Sequence, residues 1–174
     1  MKKSVKNHRF KIMTFLLILV IAGYIMLNYL NSPSTKLKSN EYEIVSSLPE
    51  IENNSWQQSI TSEEYYILVE KGTERPFSGE LLENKKSGTY LTAGCNLPVF
   101  SSETKFDSGT GWPSFTSPIS NNNIILKKDY SLGIERVEVL SSCGEHLGHV
   151  FPDGPEPDGL RFCINSKALK FIEN

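Results

Sequence analysis

Two kinds of hydrophobic pattern divide the chain. Residues 12–30 (IMTFLLILVIAGYIMLNYL) are apolar and uncharged, broken only by Thr14, Gly23 and Asn28. Those nineteen residues, as a helix at 1.5 Å each, reach roughly 28 Å, about one bilayer hydrocarbon core. The apolar stretch of a cleaved signal peptide is shorter, about 7–15 residues, and ends at small residues. Here Tyr29, Leu30 and Asn31 follow. The pattern predicts an uncleaved N-terminal transmembrane helix, with a signal sequence removed on export as the alternative. Lys2, Lys3, Lys6, Arg9 and Lys11 precede it. Their charge predicts a cytoplasmic N-terminus and an extracytoplasmic C-terminal body, or a secreted body if the segment is cleaved.

The rest of the chain shows shorter periods. Residues 32–58 are rich in Asn and Ser, contain Pro33 and Pro49, and predict an extended or disordered linker. Thr61 followed by Glu64 fits a capping box, and Tyr65, Leu68 and Val69 recur at helical spacing up to a stop at Gly72. After Gly72, glycines and prolines punctuate short apolar runs. Strands are expected at Thr89–Leu91, Pro98–Phe100, Asn123–Lys127, Glu135–Leu140, His149–Phe151 and Arg161–Ile164. The alternation is clearest in Glu135–Leu140. Short strands with Gly/Pro turns predict a mostly β, mainly antiparallel domain over 59–174, behind a stub and anchor at 1–31.

Charge narrows the partners. The chain has 18 basic and 20 acidic residues, net −2. Five of the basic residues lie in 1–11, which leaves 13 basic against 20 acidic in the remainder, or −7. A body of that sign lacks the basic stripe a nucleic-acid partner requires. Three cysteines are too few for a disulfide scaffold or a four-thiolate zinc site.

The candidate chemistry sits in five segments: GTERPFSG (72–79), KFDSGTGWPSF (105–115), HLGHVF (146–151), DGPEPDG (153–159) and RFCINS (161–166). His146 and His149, Cys163, and Trp112 in a Gly/Pro-bounded loop are compatible with a thiol active site. A Cys beside a cation or imidazolium forms more of the reactive thiolate, and Arg161 and the two histidines could supply that field. The same residues have other readings. A lone Cys in a β run is usually a small buried apolar residue. Two histidines three apart could hold a metal with Cys163, as in a metal-dependent hydrolase. Trp112 by itself is more often a core residue than a pocket lining.

Together the segments resemble the B-type methionine sulfoxide reductases, which act on the R epimer of methionine sulfoxide. GTE-x-PFSG, KFDSG-x-GWPSF, HLGHVFPDGP, GLR-F-CINS and the tail NSKALKFI occur in the family's order, from about Thr61 to Ile172. The resemblance implies a fold of two small antiparallel sheets with flanking short helices. It also implies that Cys163 is the nucleophile: its thiolate attacks the sulfoxide sulfur, the protonated oxygen departs from that sulfur, and the oxygen equivalent is left on the enzyme as a cysteine sulfenic acid. An acid is needed for that oxygen; His146 and His149 match the family's two histidines, with His149 favoured. Trp112 matches the indole that packs on the substrate's S-methyl group, and Asn165 and Arg161 match residues that orient substrate and thiolate.

Departures from the family pattern carry further expectations. Many members hold a structural zinc on two C-x-x-C pairs; here these read Thr92-Ala-Gly-Cys95 and Leu140-Ser-Ser-Cys143. One thiol survives from each pair, so a family-type zinc is not expected. Cys95 and Cys143 are left either as a disulfide replacing the metal or as two buried free thiols. Thr110 stands where many members place a resolving Cys, which implies an external, thioredoxin-like thiol reductant and no cofactor. Oxidised proteins beyond the membrane are the expected substrates, and a monomer the expected state. All three methionines (Met1, Met13, Met26) precede residue 31, so the body lacks the residue whose oxidation it would repair. The rival from a binding class is an inactive relative that only docks oxidised methionine or a partner chain.

Overall fold

The computed structural model describes residues 42–48 and 55–174. The apolar segment 12–30, with its expected membrane span, lies outside them. Among the described residues no helix is long and apolar enough to cross a membrane. The domain is mostly β, with two sheets and few helices.

Among the described residues the one α-helix, α1 (Ser62–Leu68), begins where its capping box places it. Thr61 Oγ1 accepts from the Glu64 N–H at 3.2 Å, and Glu64 Oε2 accepts from the Thr61 N–H at 2.7 Å. Such a cap contributes about 1 kcal/mol. Ile67 and Leu68 are buried, while Tyr65 and Tyr66 stay exposed. The stop differs in detail from the expectation at Gly72. The left-handed residue is Lys71, at φ 59°, and the Gly72 N–H then closes onto the Tyr66 carbonyl at 2.9 Å. Gly72 is needed because a Cβ there would run into the Tyr66 ring.

The described residues form ten strands. They are β1 (Ile44–Val45), β2 (Gly88–Thr92), β3 (Pro98–Ser101), β4 (Lys105–Phe106), β5 (Ser114–Phe115), β6 (Ile124–Asp129), β7 (Arg136–Ser141), β8 (His146–Phe151), β9 (Arg161–Ile164) and β10 (Leu169–Glu173). The larger sheet has seven strands in the order β1-β6-β7-β8-β9-β5-β4; the smaller has three, β10-β2-β3. The expectation of two small antiparallel sheets is corrected in two respects. The larger sheet is wide, and its β1–β6 pair is parallel, Ile44 opposite Leu126. The linker expected at 32–58 also contributes to the fold: β1 joins the sheet, and Ser55–Gln58 forms a 3-10 turn that buries Trp56. Apolar Ile44 and Trp56 pack on the core, which the polar composition around them obscures.

The two sheets meet through aromatic rings. Phe100 of β3 stacks on Phe115 of β5 with centroids 4.5 Å apart, and Tyr90 of β2 meets Phe115 edge-on at 5.0 Å. Phe162 of β9 closes on Phe100 at 5.9 Å. All four are fully buried. Truncating any of them to Ala would cost about 3–5 kcal/mol. This interface sets one face of β5, β8 and β9 against the core and leaves their other face for chemistry.

Candidate active site

Strand register builds a row of polar side chains across that free face. Glu138 on β7 stands opposite His149 on β8, His149 opposite Cys163 on β9, and Cys163 opposite Ser114 on β5. Directly opposed side chains start about 4.5–5.5 Å apart at Cβ. Val139, Val150, Phe162 and Ile164, the alternate positions, are buried in the core.

A regular strand would send His146 and His149 to opposite faces, because they are three apart. The β7–β8 ladder slips between Val139 and Leu140, so that Gly148 pairs with Val139 and His146 with Leu140. This bulge re-aims the chain, and the two rings end 5.5 Å apart, edge to face. Gly148 packs directly on the Cys163 carbonyl, where a Cβ would collide.

Cys163 is a free, half-buried thiol. It lines a hollow of about 150 Å³ with Thr73, Trp112, Arg136, Gly148, His149, Phe151 and Asn165. The expected residues Trp112, His149, Asn165 and Cys163 therefore meet at one cavity. Burial pushes the Cys163 thiol up, and the nearby Arg161 guanidinium and Thr110 hydroxyl oppose that rise only in part. Thr110 Oγ1 is 4.0 Å from Sγ and continues through Ser108 (2.9 Å) to Ser114 (2.8 Å). Arg161 is held by a two-point pair with Asp153, both contacts at 2.9 Å, and lies over the Phe151 ring at 4.6 Å.

Each histidine is anchored by a carboxylate. His149 Nε2 donates to Asp129 Oδ2 at 2.8 Å, and His146 Nδ1 donates to Glu138 Oε1 at 2.8 Å. Burial pushes the Asp129 carboxyl up, but the Ser131 N–H, His149 and Arg136 together hold it well below the usual carboxylate range. Glu138 is likewise raised by burial and brought down overall by His146 and Lys71. Both carboxylates can therefore only accept, which puts the proton on Nε2 of His149 and on Nδ1 of His146. Burial lowers the His149 imidazolium, with Asp129 working against that and Arg136 and His146 adding to it. His146 Nε2 is buried with no protein partner among the described residues.

Trp112 and Asn165 are fixed by the 72–79 segment. Trp112 Nε1 donates to the Glu74 carbonyl at 3.1 Å. Asn165 Oδ1 accepts from the Glu74 N–H, and its Nδ2 donates to the Leu147 carbonyl, both at 3.1 Å. The Asn165 amide thus ties the hollow's wall to β8.

Sequence reasoning missed Asp129, Arg136, Glu138 and Lys71. A signal existed for two of them: Arg136 and Glu138 occupy the polar phase of the alternating run 135–140. Asp129 and Lys71 reach the site only through pairing with distant residues.

The positions matching the family's zinc pairs do not fit a four-thiolate ion. Cys95 and Cys143 are joined as a disulfide with Cα atoms 6.6 Å apart, and Leu140 cannot ligate. The fully buried Glu145 carboxylate fills the space beside them. Its Oε1 accepts from the Gly94 and Cys95 N–H groups at 2.8 and 3.0 Å, and its Oε2 accepts from Ser141 Oγ at 2.7 Å. Among the described residues, Cys95, Cys143 and Glu145 are the one group whose donor atoms lie within metal-sharing distance of one another. Cys163 and the two histidines form no such group, which counts against a hydrolase built on them.

One open sulfur, a cation near it and the carboxylate-anchored His149 opposite it are an arrangement that thiol chemistry on a β-rich fold can use. The comparisons name the family. The SelR domain matches residues 60–173. The chain is 56% identical over 117 residues to the peptide methionine sulfoxide reductase MsrB of Methanosarcina barkeri, covering 67% of this chain and 82% of that protein. It is 54% identical over 124 residues to the mitochondrial methionine-R-sulfoxide reductase B2 of Rattus norvegicus, covering 67% and 71% respectively. The MsrB of Bradyrhizobium diazoefficiens is 48% identical over 139 residues, covering 79% and 96%. The chain belongs to this SelR family, the B-type peptide methionine sulfoxide reductases.

Proposed function

We propose that the protein reduces methionine-R-sulfoxide to methionine by thiol chemistry at Cys163. The observation that carries this reading is the placement of the free Cys163 thiol opposite His149 in a hollow walled by Trp112. The Cys163 thiolate attacks the sulfoxide sulfur while an acid protonates the oxygen. The methionine sulfur gains two electrons, the cysteine sulfur loses two, and the oxygen equivalent remains as Cys–SOH. An external dithiol returns the sulfenic acid to the thiol, releasing water and leaving as a disulfide. His149 supplies the proton, because its ring stands opposite the sulfur. Trp112 offers an apolar wall for the S-methyl group, and Arg161 stabilises the thiolate. Thr110 next to Cys163, in place of a second thiol, supports reduction by a thioredoxin-like partner.

The test uses the full chain in detergent with dithiothreitol and each epimer of a methionine sulfoxide peptide. Consumption of the R epimer alone, lost in Cys163→Ser, is expected; consumption of S, or activity without the sulfur, overturns the reading. Residues 12–30 support a membrane tether that places repair of exported proteins outside the cytoplasm. Release of the chain from membranes by alkaline carbonate would refute that tether.

A further inference from the structure

Asp129 lies on β6, separated from Cys163 on β9 by two intervening strands, yet three groups converge on its carboxylate. The Ser131 N–H donates to Oδ1 at 2.9 Å, while Oδ2 receives both the Arg136 guanidinium and His149 Nε2. Arg136 is its register partner at the mouth of the β6–β7 hairpin and also donates to Ser131 Oγ at 3.2 Å. The carboxylate is thus clamped on both oxygens before it meets the imidazole. Glu138, the residue directly opposite His149, is taken by His146 and Lys71 instead.

With Nε2 committed to Asp129, only Nδ1 of His149 is left to handle a proton. That nitrogen has no protein partner among the described residues, and His149 lines the hollow beside Cys163. A carboxylate behind a histidine both fixes the tautomer and stabilises the imidazolium.

We propose that Asp129, clamped by Ser131 and Arg136, is a positioning residue that presents His149 Nδ1 to the sulfoxide oxygen and sustains its charged form. This rests on the reading of His149 as proton donor. The charged or titratable groups facing His149 are Asp129 from β6, Arg136 and Glu138 from β7, His146 from its own strand, and Cys163 with Arg161 from β9. Of these, Asp129 is the one hydrogen-bonded to the ring.

Asp129→Asn tests the proposal, because an amide oxygen can still accept from Nε2 while the charge is gone. Nitrogen-15 NMR of the histidines in the full chain should show the His149 pKa lowered by about one unit, the size expected for loss of an adjacent opposite charge. The kcat/KM for R-sulfoxide should fall about tenfold, by the same reasoning. In a His149→Gln background the substitution should cost less than about twofold further, because contacting residues acting as one unit are not additive. A general loss of packing would relieve the burial that lowers the His149 imidazolium and so move the pKa upward, opposite to the fall expected in Asp129→Asn. Arg136→Gln, which removes a like charge, should raise the His149 pKa. An unmoved His149 titration in Asp129→Asn, or an equal loss of kcat/KM in both backgrounds, would overturn the proposal. The titrations do not depend on turnover, so the two failures are distinct. A wild-type chain that consumed no sulfoxide would overturn the proposed function and this proposal with it, whereas an unmoved His149 titration in an active chain would overturn this proposal alone.

Discussion

Two sulfur sites in one small domain have opposite surroundings. Cys163 sits half-buried at a hollow, with the Arg161 guanidinium near it. Cys95 and Cys143 are bonded to each other, and the buried Glu145 carboxylate lies 3.0 Å from the Cys95 sulfur. A neighbouring cation favours a thiolate and a neighbouring anion disfavours it. The cation beside the first sulfur offsets part of the rise that burial imposes on its thiol, while the other two sulfurs are closed on each other. The difference lies in what each is placed beside, since the residue type is the same.

The largest effect separating the two sites should come from the sulfurs themselves. Cys163→Ser should lower kcat by at least about a thousandfold in the peptide assay, as loss of a nucleophile does. Cys95→Ala with Cys143→Ala should leave kcat within about threefold, because neither touches the hollow. That pair should instead cost stability. Closing a loop across a sequence separation of 48 is worth about 4 kcal/mol in the chain-entropy account, read by urea unfolding against the oxidised protein. Equal losses of activity in the two variants would erase the distinction.

The pH profile sharpens it next. The proposed mechanism needs Cys163 as thiolate and His149 as imidazolium, yet burial raises the first pKa and lowers the second. Where the thiol pKa exceeds the imidazole pKa, the product of the two required fractions is flat between them. It falls below the His149 pKa, where thiolate vanishes, and above the Cys163 pKa, where imidazolium vanishes. A bell-shaped kcat/KM is expected, rising through a depressed His149 value and falling through an elevated Cys163 value. Arg161→Leu should push the alkaline limb higher and lower the plateau about tenfold, one unit of thiol pKa being a factor of ten. A limb that moves to lower pH would contradict Arg161 as the stabilising cation.

The smallest effect belongs to the closed site. Glu145→Gln keeps an oxygen for the Gly94 and Cys95 N–H groups but weakens charge-assisted bonds, so about 1–2 kcal/mol of stability should be lost with kcat unchanged. A fall in kcat below the melting range would show that the two sites communicate.

Much of the site was legible because its residues lie in compact segments. Cys163, His146, His149, Trp112, Asn165 and Arg161 stand within or beside Gly/Pro-bounded motifs, and the capping box at Thr61 and Glu64 formed as read. The strand at Arg161–Ile164 was found in full, since its ends are marked by Gly159 and Asn165. Less legible were β4 and β5, two residues each, too short for a period of two to show. The run at 169–173 read only as a tail, although β10 pairs with β2 along its whole length. β1 and Trp56 were hidden in a segment whose average composition is that of a linker.

Residue type and local spacing determined which cysteine lies in the R-F-C-I-N-S segment, which residues cap the first helix, and which family the motifs match. Tertiary structure alone decided which carboxylate serves which histidine, that a bulge turns both rings to one face, and that Cys95 and Cys143 meet. Those outcomes depend on which strands lie side by side and in what register. Such long-range pairing is set by burying apolar faces such as the Phe100–Phe115 contact, and no short window of sequence contains both partners.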